Sequence, residues 1–138
     1  MKKEKITIEA TILAPVSKVW NFYTRPTHIG KWNAASDDWH TTRAENDLRV
    51  GGKFLSRMEA KDGSFGFDFT GVYDEVKINE LIIYTMEDGR KAKILFTSID
   101  NQTKMVIDFA AETENPIEMQ RGGWQAILNN FKKYVESN

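Results

Sequence analysis

The sequence predicts an α+β domain in which one antiparallel sheet is covered by helices on a single face. Three observations lead to this prediction. Most segments alternate apolar and polar residues, two short segments at helical spacing follow the first of them, and a long amphipathic segment closes the chain. The length of 138 residues suits a single domain spanning residues 1–138, with a core large enough to be stable without disulfides.

The first third of the chain predicts a strand, two short helices and a loop. Residues 5–13 alternate with the period of a half-buried strand. Residues 15–23 change to helical spacing, and the break before the next proline separates them from a second short helix over 26–32. Residues 33–47 are polar and lack a clear period, so we predict a loop with one short strand near 39–43.

Alternation predicts five more strands, over residues 53–60, 64–76, 81–86, 91–99 and 103–111. The dipeptides Asp62-Gly63 and Asp88-Gly89 are hairpin signals, and the glycine pair in Arg49-Val50-Gly51-Gly52-Lys53 predicts a turn before the first of these strands. The pattern assigns to the inner face Phe54, Ser56, Met58, Phe65, Phe67, Phe69, Gly71, Tyr73, Ala92, Ile94, Phe96, Met105, Ile107 and Phe109.

The C-terminal segment predicts a long amphipathic helix. Asn115 is the expected N-cap, Pro116 the first helical residue, and Glu118 lies three residues after the cap. The apolar stripe that follows consists of Trp124, Ile127, Leu128, Phe131, Tyr134 and Val135. Only this helix is large enough to cover the apolar sheet face. A curved sheet around one helix rarely closes tightly, so we expect a cavity between them.

Composition excludes several functional classes. The absence of Cys excludes disulfides and Cys-ligated metals, and two His cannot form a three-His site, so no metal or cofactor is predicted. A net charge of −1 shows no excess of positive charge of the kind that binds nucleic acid. The basic segment Met1–Lys5 leads into an alternating pattern and not an apolar run, so we expect no signal peptide, no membrane insertion and a cytoplasmic location.

Several segments together resemble the helix-grip fold, also called START-like or SRPBCC, and within it the branch related to the C-terminal domain of the heat-shock-protein ATPase activator. The resemblance covers essentially the whole chain. The segments that carry it are Ala14-Pro15-Val16-Ser17-Lys18-Val19-Trp20, Trp32-Asn33, Arg49-Val50-Gly51-Gly52-Lys53-Phe54, Gly71-Val72-Tyr73-Asp74-Glu75-Val76, Leu81-Ile82-Ile83-Tyr84-Thr85 and Gly123-Trp124.

The resemblance implies a curved antiparallel sheet wrapped around the C-terminal helix, with a cavity for a hydrophobic or amphipathic small molecule. We therefore expect a small binding protein. One alternative is a protein-interaction module that regulates a chaperone ATPase, although this chain has no room for the second, N-terminal domain of the eukaryotic activator. Another is a cyclase- or hydrolase-type enzyme that uses the same cavity. A homodimer is compatible with the sequence, which contains no feature that decides it.

The aromatic excess, 4 Trp, 4 Tyr and 8 Phe, supplies the candidate ligand-binding residues. Aromatic rings and Met offer apolar walls that adapt to a ligand, but the same side chains also fill ordinary cores. The predicted ligand-binding set is Trp32, Trp39, His40, Phe54, Met58, Phe67, Phe69, Met86, Phe96, Phe109, Trp124 and Phe131.

Polar candidates are fewer, and no catalytic residue is predicted among them. The cluster Asp37-Asp38-Trp39-His40, with Arg43 and His28 near it, could orient a polar ligand group or act as acid and base, or form an ordinary solvated loop. Alternation instead turns the charged residues Arg57, Glu59 and Asp68 outward. The pair Gly122-Gly123 could thin the helix for a ligand or allow close packing, with Gln120 and Arg121 at the cavity mouth.

Overall fold

The computed structural model describes residues 4–138, so the basic residues 1–3 lie outside the described part of the chain. Seven strands form one curled antiparallel sheet in the order β1-β7-β6-β5-β4-β3-β2. The elements along the chain are β1 Lys5–Ile12, α1 Val16–Thr24, α2 Pro26–Trp32, β2 Trp39–Asn46, β3 Lys53–Ala60, β4 Gly66–Lys77, β5 Leu81–Met86, β6 Lys91–Ile99, β7 Gln102–Ala110 and α3 Ile117–Ser137. The predicted α+β helix-grip architecture is confirmed.

Helix α3 covers the inner face of the sheet and packs most closely along β1, while α2 packs on β2 at the opposite edge. The stripe on α3 buries Leu128, Phe131 and Val135 completely or nearly so. Their contacts with the inward residues of the strands form one continuous core, because alternation sends every second strand residue to the same face.

The second strand is longer than the sequence indicated. It extends to Asn46, and its pairing with β3 shifts register between Thr41 and Arg43. An irregularity of this kind interrupts the period of two, which explains why alternation beyond residue 43 was not apparent. A similar shift lies between Tyr73 and Glu75 where β4 pairs with β5.

The predicted capping of the long helix is wrong. Pro116 holds the N-cap position of α3, and no side chain caps it. Asn115 instead donates its backbone N–H and its side-chain amide to the Glu112 carboxylate. Gln120 ties the β7–α3 loop to the helix, because its amide donates to the carbonyls of Glu112 and Asn115 and its oxygen accepts from the Glu112 N–H. A side chain inside the first turn therefore replaces the expected cap.

Candidate functional site

A cavity of about 330 Å³ lies between the inner face of the sheet and α3, with side chains of α1 and α2 at one end. Its walls are mostly aromatic and aliphatic, and the polar groups in them are few. Six residues of the predicted ligand-binding set line it: Trp32, Phe54, Met58, Phe67, Phe69 and Trp124.

The other six predicted residues lie elsewhere. Met86, Phe96, Phe109 and Phe131 are buried in the packed core beside the cavity. Trp39 packs against the exposed rings of Phe65 and Phe67 at the β3–β4 end of the sheet, and His40 is exposed on the edge strand β2. No ligand contact has been measured for any of the twelve, so their role in binding stays a prediction.

The aromatic wall is held in place by edge-to-face contacts. The ring of Phe54 lies across Gly71 on the neighbouring strand, where a Cβ would come within 2.6 Å of it. From there it contacts the edge of Tyr84, with ring centroids 4.9 Å apart. On the helix side, Trp124 stacks on Phe109 at 3.8 Å. Phe109 therefore supports a wall residue from behind, and rings packed in this way give the cavity a defined shape.

The polar end of the cavity contains tyrosines that the predicted set lacked. Tyr73 donates a hydrogen bond to the side-chain oxygen of Asn46 at 2.5 Å, and the Asn46 amide donates to the Thr24 carbonyl at 2.6 Å. Tyr23 and Tyr84 line the same space. Burial raises the pKa of all three hydroxyls, for Tyr73 against the opposing effect of the Asn46 hydrogen bond. These phenols stay protonated at neutral pH, so each hydroxyl has a proton that it can donate.

Arg90 borders the cavity as the cation among the described lining residues. Its guanidinium pairs with Asp88 at 2.7 Å and donates to the Ala110 carbonyl at 2.9 Å. The Arg90 side chain is only 19% exposed, so the pair is partly shielded from water. Because a carboxylate already balances this charge, Arg90 offers little net positive charge to an anionic ligand.

The acid–base cluster predicted from sequence does not face the cavity. Asp37, Asp38 and His40 are exposed, and Arg43 pairs with Glu45 at the surface. His28 forms a hydrogen bond with the Tyr134 hydroxyl at 2.8 Å and stacks on Phe22, away from the cavity lining. Of the four residues named for the enzyme alternative, Asp37, Asp38 and His40 are exposed, and His28 is half-buried outside the cavity lining.

The charged residues on the strands point outward, as predicted. Arg57 pairs with Glu59 at 3.0 Å and with Asp68 at 3.4 Å on the outer sheet face. At the predicted cavity mouth, Gln120 is occupied by the loop and Arg121 pairs with Glu118. Neither Gln120 nor Arg121 lines the cavity.

The glycine pair of α3 has open space around it. A Cβ at Gly122 or at Gly123 would meet no atom of the described residues within 4 Å, so close packing does not explain the pair. We expect Gly122→Ala and Gly123→Ala each to raise the free energy of unfolding by about 0.5–1 kcal/mol, because alanine loses less conformational entropy in a helix. Urea denaturation measures this gain. Ala126→Gly on the same helix serves as the control and should lower stability, and a loss of stability in the glycine variants would contradict the prediction.

Residues 4–138 contain neither a group of metal-ligating side chains nor a membrane-spanning helix. In that range no group of three or more His, Asp or Glu side chains could hold a metal ion. None of the described helices is both long and apolar enough to cross a bilayer.

Comparison with known proteins gives a family and several similar structures. Residues 13–136 match the family model described as Activator of Hsp90 ATPase homolog 1-like protein. The solution structure of an AHSA1-like protein from Aeromonas hydrophila is 46% identical, with a TM-score of 0.92 over 97% of this chain and 93% of that chain. A protein from Cytophaga hutchinsonii is 54% identical, with a TM-score of 0.84 over 97% of this chain and 93% of that chain.

More distant similarity extends to the fold alone. A protein from Chromobacterium violaceum has a TM-score of 0.87 at 23% identity, over 98% of this chain and 99% of that chain. No curated protein matches the sequence. The comparisons therefore support the architecture in which the cavity lies and identify no ligand for it.

Proposed function

Because this chain belongs to the family of Activator of Hsp90 ATPase homolog 1-like proteins, within the SRPBCC superfamily, and carries an apolar cavity, we propose that it is a cytoplasmic binding protein for a hydrophobic or amphipathic small molecule. The observation that carries the proposal is the cavity of about 330 Å³ between the sheet and α3. Ligand sites in proteins have this character, with mostly apolar walls and a few placed polar groups.

A small residue in the wall supports this function. Ser56 lies on β3 between Phe54 and Met58, is 6% exposed and lines the cavity. A larger side chain at this position would occupy part of the space and gain packing contacts, so the serine keeps the cavity open at a cost in stability. Behind the wall, Gly71 on β4 leaves room for the Phe54 ring, because a Cβ there would come within 2.6 Å of it.

A cavity-filling variant tests the proposal. We expect the uncharged fluorophore N-phenyl-1-naphthylamine to bind the protein with increased emission, and Ser56→Phe to weaken that binding about tenfold or more, a loss of ~1.4 kcal/mol. The added ring can enter only the cavity, because Ser56 points inward between paired strands. Fluorescence titration gives both affinities, and circular dichroism checks that the variant is folded.

The matched control is Thr97→Phe, which places the same ring on the exposed face of β6 and should leave the affinity unchanged. If Ser56→Phe does not fold, Ile127→Trp on the α3 wall makes the same test. The proposal fails if the fluorophore does not bind, or if it binds the filled variants as tightly as the original protein.

A further inference from the structure

We propose that the hydroxyls of Tyr84 and Tyr23 form a polar subsite that donates hydrogen bonds to an uncharged oxygen of the bound molecule, such as a ketone, ester or ether oxygen. This inference rests on the proposed function and defines its ligand class further. The ligand would carry an apolar body against the aromatic wall and a neutral oxygen acceptor at the tyrosine end.

The first support is the hydroxyl of a buried tyrosine, which reaches open space and has no hydrogen-bond partner among the described residues. Tyr84 is 7% exposed and lines the cavity, and within residues 4–138 no group forms a hydrogen bond with its hydroxyl. In the same range, every side-chain oxygen that is sealed from solvent has a hydrogen-bond partner. The Tyr84 hydroxyl has none, so it is not sealed and reaches the cavity space. Buried phenols normally find a partner, because an unpaired one loses its hydration without compensation.

Other tyrosines of the protein follow that rule. Tyr73 donates to Asn46, and the Tyr134 hydroxyl bonds to His28. Tyr23 resembles Tyr84, because it lines the cavity and has no hydrogen-bond partner among the described residues. The two unpartnered phenols therefore share one cavity with Tyr73, whose hydroxyl is already engaged by Asn46.

Both tyrosines line the same cavity, Tyr23 from α1 and Tyr84 from β5. Both rings are fixed before a ligand arrives. Tyr23 stacks on Trp32 at 5.0 Å, and Tyr84 is held by Phe54 at 4.9 Å. Fixed donors that point into one space can bind a single acceptor oxygen with little loss of side-chain entropy.

The charges around the subsite favour a neutral head group. Arg90 is the cation whose charge acts on the Tyr84 hydroxyl. Its guanidinium is engaged by Asp88 and by the Ala110 carbonyl. A carboxylate ligand would have to displace Asp88 or enter beside it, at a cost in charge repulsion.

A double-mutant cycle between protein and probe tests the subsite. The probes are 2-acetylnaphthalene, which carries a ketone, and 2-isopropylnaphthalene, which has the same shape without the oxygen. Displacement of N-phenyl-1-naphthylamine gives both affinities. We expect Tyr84→Phe to weaken the ketone about fivefold and to leave the hydrocarbon unchanged. Tyr23→Phe should show the same selective loss. Tyr134→Phe, whose hydroxyl is outside the cavity, should leave the affinities for both the ketone and the hydrocarbon unchanged.

The outcomes separate this inference from the proposed function. If neither the fluorophore nor either naphthalene binds, the proposed function fails. If all three bind and the tyrosine variants change ketone and hydrocarbon affinities equally, or not at all, the cavity binds ligands but the subsite assignment is overturned. Tighter binding of 2-naphthoate than of the ketone at pH 7 would also overturn it, because the head group would then be a carboxylate.

Discussion

Replacing Phe131 by alanine is expected to lower the free energy of unfolding by about 3–5 kcal/mol. Phe131 lies on α3 and is 0% exposed. Its ring makes edge-to-face contacts with Tyr23, at 5.1 Å between ring centroids, and with Trp32 at 4.8 Å, so it joins the long helix to both short helices. Removal of the ring leaves a void that these rigid neighbours cannot fill. The loss is large beside the total stability of about 5–15 kcal/mol that is usual for a domain.

Urea denaturation monitored by tryptophan fluorescence measures this change. Lys133→Ala, at an exposed position on the same helix, should alter stability by no more than about 0.5 kcal/mol. The comparison also tests the sequence-based assignment of Phe131 as a ligand-binding residue. A stability loss below ~1 kcal/mol in Phe131→Ala would mean that the ring is a dispensable cavity wall and not part of the packed core.

The sequence predicts which residues lie on the inner face of the sheet. It does not predict which of them border the cavity and which lie in the packed core. Phe69, Phe96 and Phe109 alternate in the same way, and all three point inward in the structure. Phe69 nevertheless borders the cavity, while Phe96 packs on Trp20 and Phe109 on Trp124. The difference depends on where α3 and the short helices cross the sheet, which is a long-range property that the period of one strand does not contain.

The polar end of the site was missed for a related reason. Tyr84 alternates with Ile82 and Met86 on β5, so its inward direction could have been inferred from sequence. Its importance comes from the strands on either side, because Tyr73 is its cross-strand partner and Phe54 reaches it across Gly71. Arg90 directly follows the hairpin signal Asp88-Gly89, and the sequence pattern did not single it out. Contacts between strands, and not composition, turn these residues into a site.

Replacing Gly52 by alanine is expected to lower the free energy of unfolding by about 3 kcal/mol. A Cβ at Gly52 would lie 2.0 Å from the Asp47 carbonyl oxygen and 3.0 Å from that of Arg49. Both are backbone atoms, so the turn cannot yield by rotating a side chain. The turn must open, which breaks the Gly52 N–H bond to the Arg49 carbonyl at 2.8 Å and the Asp47 N–H bond to the Lys53 carbonyl at 3.0 Å.

The same turn supports the polar end of the cavity. Gly51 donates to the Tyr73 carbonyl at 2.8 Å, and the Tyr73 N–H donates to the Gly52 carbonyl at 2.9 Å, so the turn fixes the backbone of Tyr73. Gly51→Ala is the matched control. Gly51 has a φ of 84° but open space around its Cβ position, so only backbone strain of about 1–2 kcal/mol is expected. Urea denaturation of both variants decides the matter, because equal losses would show that strain alone, and not the collision with Asp47, determines the effect of Gly52→Ala.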